Sequence, residues 1–275
     1  MAKKVVDTKA TKKAAGNYAS INALKIYYET HGDGRPLILL HGGVGASEMF
    51  DPVLPALAGT RQVIAVHLQG HGHTSDGDRP LGFESMAEDL AALLGQLDIE
   101  KADLLGYSLG GGVALQTVIR HPDLVRKLVL VSTPFKRQGF YPEVLENMAQ
   151  IGPEAARFMD QSPLSQLYPE ANWPVLFGKL GSLLRQEYDW SKEVAAIKSP
   201  VLIVCADADA VRPAHAMEFF ELLGGGQRDA GMDGFGRPAA RLAILPGMTH
   251  YDILTFPSMA AIITAFLDAP LPGPK

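Results

Sequence analysis

Ser108 stands in Gly106-Tyr107-Ser108-Leu109-Gly110, directly after the apolar Ala102-Asp103-Leu104-Leu105 and directly before Gly111-Gly112-Val113-Ala114-Leu115. A strand that ends in Gly-x-Ser-x-Gly and passes at once into a helix forces the serine into a tight turn. Its hydroxyl is then exposed at a helix N-terminus, the setting of a nucleophile. A serine hydroxyl attacks poorly at neutral pH and needs a base within hydrogen-bond reach, which an acid must in turn orient. Of eight histidines, His250 is the expected base, because it follows the apolar run Leu242-Ala243-Ile244-Leu245 in the loop Pro246-Gly247-Met248-Thr249-His250. His121 precedes Pro122-Asp123 at a helix end, His215 stands in a helix start after Pro213, and His31 precedes a Gly-Asp-Gly turn. His71 and His73, in the loop after Val66, are the remaining alternatives.

The acid is expected after another strand. Val201-Leu202-Ile203-Val204 is followed by Asp207 and Asp209. Asp209 lies further into the loop, where it can swing towards the histidine; Asp207, nearer the strand, suits local backbone amides. A tetrahedral intermediate also needs donors for its oxygen. The Leu109 N–H, at a helix N-terminus, is one candidate. The second is expected in His41-Gly42-Gly43-Val44-Gly45, where glycines let backbone approach a ligand closely; Gly43 is the first choice and Val44 the second.

The elements that must hold these groups alternate between strand-like and helix-like. Leu24–Glu29, Pro36–Leu40, Gln62–Val66, Leu128–Val131, Val201–Val204 and Leu242–Leu245 read as strands, mostly apolar on both faces. Phe83, Met86, Ala87, Leu90, Leu93, Leu94 and Leu97 repeat at helical spacing. Short helices are expected over Glu48–Leu57 and Ser258–Leu267. Such alternation implies a mostly parallel sheet covered on both sides, with active groups at the carboxyl ends of its strands. From Pro134 to Lys198 the alternation breaks into helical pieces that hold both tryptophans. This stretch, 134–198, is expected to be a helical cap inserted into a core of 18–133 and 199–275. Residues 1–17, with Lys3, Lys4, Lys9, Lys12 and Lys13, read as a flexible basic tail. The glycine-rich stretch from Gly224 to Pro238 reads as a surface excursion; no strand leads into its Gly231-Met232-Asp233-Gly234-Phe235-Gly236, so a phosphate loop is not expected.

Composition narrows the class. A chain of 275 residues with 47% hydrophobic and 20% charged residues suits a globular enzyme, and a net charge of −5 argues against a nucleic-acid partner. Cys205 is the one cysteine, which excludes an internal disulfide, and its apolar run marks it as a buried strand residue. No apolar run approaches a membrane span, no hydrophobic segment of a secretory signal follows the lysines, and cytoplasmic location is expected. No metal-ligand spacing is present, an Asp207-x-Asp209 calcium loop lacks its downstream Gly and Glu, and no cofactor is expected.

Taken together, His41-Gly42-Gly43, Gly70-His71-Gly72, Gly106-Tyr107-Ser108-Leu109-Gly110-Gly111, Asp209 and Gly247-Met248-Thr249-His250 resemble the α/β-hydrolase superfamily, in particular its capped, esterase-like branch. The resemblance covers roughly residues 18 to 270, and the order Ser, Asp, His matches. It implies an eight-stranded, mostly parallel sheet with helices on both faces and a lid after the sixth strand. It favours Asp209 over Asp207, since the family's Gly-x-x-Asp corresponds to Ala206-Asp207-Ala208-Asp209. Ala206 is a small departure from that pattern. His67 is a larger one, standing where the family has an aspartate that serves the loop's structure. Haloalkane dehalogenases and epoxide hydrolases use Asp as nucleophile, and proline iminopeptidases have Gly-Gly-Ser-Trp-Gly at the elbow, so neither matches; cofactor-free haloperoxidases and perhydrolases have a very similar elbow.

The resemblance implies a serine hydrolase of carboxylic esters, acting through an acyl-enzyme on small or medium uncharged substrates. Its rivals are perhydrolysis, acyl transfer or lactone opening on the same triad, and a slow-turnover ligand receptor on the same fold. The pocket is expected between sheet edge and cap. Val44, Met49, Phe50, Tyr107, Met248 and Tyr251 are candidates from the catalytic loops, and Trp173 and Phe177 from the cap, where packing within the cap core is the favoured role.

Overall fold

A computed structural model describes residues 16–271. Residues 1–15 of the expected tail lie outside the described residues. Gly16 and Asn17 belong instead to the first strand, β1 (Gly16–Ile21), so the core begins two residues earlier than the sequence suggests. The further strands are β2 (Leu24–His31), β3 (Arg35–Leu40), β4 (Arg61–Val66), β5 (Ala102–Tyr107), β6 (Val125–Val131), β7 (Val201–Ala208) and β8 (Arg241–Thr249). They form one eight-stranded sheet in the order β1-β2-β4-β3-β5-β6-β7-β8. From β4 to β8 every pairing is parallel, while β1 with β2 and β2 with β4 are antiparallel.

The parallel strands are apolar runs because both faces are covered. Successive side chains point to opposite faces, so Ile38 and Leu40 join one core while Leu37 and Leu39 join the other. On the first face pack α2 (Phe83–Gln96), α3 (Leu109–Arg120) and α8 (Pro213–Leu222). On the second pack α1 (Leu54–Ala58) and α9 (Met259–Asp268). The helix expected over Glu48–Leu57 is split into a 3-10 turn at Ser47–Phe50 and α1.

Between β6 and β7 lies the expected helical insertion: α4 (Pro142–Ala149), α5 (Pro163–Leu167), α6 (Trp173–Leu184) and α7 (Ser191–Ala195), with 3-10 turns between. Its α6 lies against the first-face core through Leu176, Leu180 and Leu183. Two polar ties fix it to the loops beside the sheet. Tyr168 Oη donates to the Glu48 carboxylate at 2.8–2.9 Å, and Lys179 Nζ reaches the Asp76 carboxylate at 2.8 Å. No helix among the described residues is long and apolar enough to cross a membrane.

Candidate active site

Ser108 follows β5 and precedes α3 with φ 52° and ψ −113°, backbone that L-residues rarely adopt. The turn closes only because its neighbours lack side chains. A Cβ on Gly106 would lie 2.4 Å from the Gly110 carbonyl oxygen, and one on Gly110 would lie 2.1 Å from that of Leu40. The sharp turn presents Ser108 Oγ to His250 Nε2 at 3.0 Å, and His250 Nδ1–H donates to Asp209 Oδ1 at 2.8 Å. The three side chains come from the ends of β5, β7 and β8, as the sequence predicts. His71 and His73 make no contact with Ser108; both belong to a separate histidine cluster.

Asp209 is buried, and burial pushes its carboxyl up. Hydrogen bonds from His250, from Ser132 Oγ at 2.5 Å and from the Ala206 N–H at 3.1 Å outweigh burial and hold it below the usual carboxylate range. Oδ1 also accepts the Val211 N–H at 3.1 Å. The carboxylate is therefore ionised and fixed from four sides. Asp207 instead accepts the Gly247 N–H at 2.9–3.0 Å and ties the end of β7 to the loop that carries His250. Tyr107 Oη donates to the His250 carbonyl at 2.6 Å and holds that loop from the other side.

The loop after β3 is set by three buried imidazoles. His41 Nδ1–H donates to the Gly42 carbonyl at 2.7 Å while its Nε2 accepts the Leu68 N–H at 3.1 Å. His71 Nδ1–H donates to the Gln69 carbonyl at 2.9 Å, leaving Nε2 to accept the Val44 N–H at 3.2 Å. His67 Nδ1 accepts the His73 N–H at 3.0 Å, and its Nε2 meets Ser47 Oγ at 2.9 Å. Burial lowers all three: His41 well below the ordinary histidine value, His67 to about 3 and His71 to about 4, so each is neutral. His67, standing where the resemblance has an aspartate, thus accepts a backbone N–H through Nδ1 and meets Ser47 through Nε2. The Val44 N–H, the second choice for an oxygen donor, is spent on His71. The N–H groups of Gly43 and Leu109 have no acceptor among the described residues and stand beside Ser108.

These groups open on a cavity of about 370 Å³ between the sheet edge and the insertion. Of the eight pocket candidates, Val44 and Tyr251 line it, with Tyr251 exposed at its mouth. The other six do not. Phe50 and Tyr107 are buried in the second-face core, against which Met49 and Met248 also pack. Phe177 packs with Ala156 and Met159 in a small core of the insertion, and Trp173 lies against it. The wall comes instead from residues the sequence did not single out: Phe83 of α2, Leu180 and Leu184 of α6, Ile151, and the polar Arg137 and Tyr188. Adjacency to a catalytic residue held at Tyr251 but failed at Tyr107, because neighbouring strand positions point to opposite sheet faces.

Among the described residues no group of three or more His, Cys, Asp or Glu side chains could hold a metal ion. Cys205 is buried in β7, where burial pushes its thiol up to about 12.

The sequence profile of the alpha/beta hydrolase fold matches residues 35–167. A pimeloyl-[acyl-carrier protein] methyl ester esterase of Neisseria meningitidis is 32% identical over 208 residues, 67% of this chain and 79% of that protein. An Azorhizobium caulinodans protein named for carbamate hydrolysis, RutD, is 28% identical across 72% of this chain and 82% of its own. In three dimensions the chain is similar to carboxylesterase CesB of Bacillus subtilis, with a TM-score of 0.72 at 23% identity, covering 94% of this chain and 92% of that one.

Proposed function

This chain belongs to the α/β-hydrolase fold family, and from that premise we propose that it is a serine hydrolase of carboxylic esters working through an acyl-enzyme. One observation carries the reading: Ser108 Oγ, His250 and Asp209 are linked at 3.0 and 2.8 Å beside two unspent backbone N–H groups, at the wall of a largely apolar cavity.

In this mechanism Ser108 Oγ attacks the ester carbonyl as its proton passes to His250 Nε2. Asp209 keeps the imidazole in its Nδ1–H form and balances the imidazolium. The oxyanion is held by the N–H groups of Gly43 and Leu109, the latter at the positive end of α3. His250 then gives its proton to the departing alkoxide. Water enters, loses a proton to His250 and attacks the acyl-enzyme; collapse returns the proton to Ser108 and releases the acid.

The largely apolar wall supports acyl groups of small to medium size. A panel of p-nitrophenyl acyl esters from acetate to decanoate tests the reading, with Ser108→Ala beside the wild type. Turnover of a short or medium ester that drops by several orders of magnitude in Ser108→Ala supports it. Equal rates in the two proteins overturn it.

A further inference from the structure

The cavity carries a second polar pair that the proposed chemistry does not use. A short antiparallel bridge joins Lys136 to Asp189, flanked by Trp190 N–H to Phe135 O and Arg137 N–H to Tyr188 O, each at 3.1 Å. Opposed residues of such a pair share a face. Lys136 and Asp189 turn away from the cavity, to Glu218 and Ser191 respectively. Arg137 and Tyr188 therefore share the other face, and both line the cavity.

Neither is fully partnered. Arg137 Nε donates to the Leu184 carbonyl at 3.2 Å and Nη1 to Glu187 at 3.0 Å; Nη2 has no acceptor among the described residues. Glu187 is 64% exposed, whereas the Arg137 side chain is only 15% exposed, so solvent weakens that pairing while the cation stays largely desolvated. Tyr188 Oη likewise has no partner among the described residues, although its ring is fixed by stacking on Trp190 at 4.5 Å and tilting against Phe83 at 5.6 Å. Burial pushes the Tyr188 hydroxyl up, the Arg137 charge draws it down and Glu187 pushes it up. No aspartate or glutamate lines the cavity, and most of its remaining wall is apolar. Two residues whose donors are not fully partnered within the protein, one of them a cation, thus line a largely apolar cavity.

We propose that Arg137 and Tyr188 form a subsite for a carboxylate carried by the substrate at a distance from the scissile ester. This deepens the hydrolase reading and rests on it: the preferred substrates are then half-esters of dicarboxylic acids, or lactones bearing a free carboxylate, with an apolar spacer across the cavity. The uncharged substrates suggested by the sequence become the poorer class.

Mono-p-nitrophenyl esters of the C5 to C10 dicarboxylic acids, each paired with the alkanoate ester of equal length, test this. At the best-fitting length the carboxylate ester should have the higher kcat/KM by roughly 10–100-fold, the range of a charge-assisted hydrogen bond. Arg137→Met should erase that preference, lowering kcat/KM for the carboxylate ester by about 10-fold or more relative to its alkanoate partner. Tyr188→Phe should lower it partially. Calorimetry of monomethyl suberate with Ser108→Ala protein needs no turnover, and binding there should disappear in the Ser108→Ala, Arg137→Met double variant. A wild type that prefers the alkanoate at every length overturns the subsite, as do variants that slow both members of a pair equally. Arg137-dependent binding with no wild-type turnover of any ester would support the subsite and count against the hydrolase.

Discussion

His71 Nε2 accepts the N–H of Val44 at 3.2 Å, one residue from the backbone donor assigned to the oxyanion, and Val44 is held there at φ 54°. The imidazole is fully buried and locked by its own Nδ1–H to the Gln69 carbonyl, so it serves as a rigid acceptor. Removing that acceptor frees Val44 to relax and with it the direction of the Gly43 N–H. We expect His71→Met to lower kcat by about 10²-fold, the scale of one oxyanion donor, with KM little changed. His71→Gln, which returns an acceptor near Nε2, should recover part of that loss. Steady-state kinetics beside thermal melts separates this outcome from simple unfolding: a purely structural role would lower the melting temperature in both variants and leave kcat per folded molecule intact.

Asp209 is held by Ser132 Oγ and two backbone N–H groups besides His250. Asp209→Asn keeps the shape but favours the wrong imidazole tautomer, and kcat should fall by about 10⁴-fold. Ser132→Ala removes one donor to an ionised carboxylate, a contribution of roughly 1.5–3 kcal/mol, and should cost about tenfold or more in kcat. Rates measured across pH 6–9 check both; a Ser132→Ala enzyme at full rate would show that the other three donors suffice.

Stability should decline in acid well before carboxylates titrate. His41, His67 and His71 stay neutral in the fold, His67 down to about 3 and His71 down to about 4, whereas the unfolded chain takes up their protons near pH 6.5. Between those values the unfolded state binds more protons, so this contribution is whole above about pH 7 and is lost progressively as pH falls towards about 4. Each such histidine accounts for at most about 1.4 kcal/mol per pH unit. Urea midpoints at pH 7.5, 6.0, 5.0 and 4.5 should fall steadily; a flat series would contradict the neutral assignment.

Lys127 is buried in β6, and its Nζ donates to the carbonyls of Phe266 at 2.8 Å, Leu267 at 3.1 Å and Ala269, closing the end of α9. Lys127→Met takes that donor from the carbonyls of Phe266 and Ala269, while the Leu267 carbonyl keeps Arg126 Nη2 at 3.0 Å. We expect a loss of about 2–4 kcal/mol in stability, read as a lower urea midpoint, with kcat/KM of the folded enzyme unchanged because α9 lies on the face away from the cavity.

The parallel strands were legible because burial on both faces writes them as unbroken apolar runs, and Ser108, Asp209 and His250 because each lies within about five residues of the end of such a run. β1 was not, since only Ala19 and Ile21 of its six residues are buried and no apolar run forms. The far part of β8, from Pro246 to Thr249, was missed for a related reason: its pairing with β7 shifts register between Ala206 and Ala208 and leaves no periodic signal. The helical insertion was visible as an interruption, but which of its residues face inward was not. Arg137 and Tyr188 meet across 51 positions through a bridge with no sequence signature. Trp173 and Phe177, the conspicuous aromatics of α6, pack within the insertion instead.

Ser108 is the residue proposed to carry the acyl group. Rapid quench of the wild type with p-nitrophenyl butyrate, followed by intact-mass and peptide mass spectrometry, tests it most directly. One butyryl adduct is expected on the peptide containing Ser108, formed in a burst and decaying no more slowly than turnover, and absent from Ser108→Ala, which should also lose turnover. A butyryl group on another residue, or undiminished hydrolysis by Ser108→Ala, would contradict it.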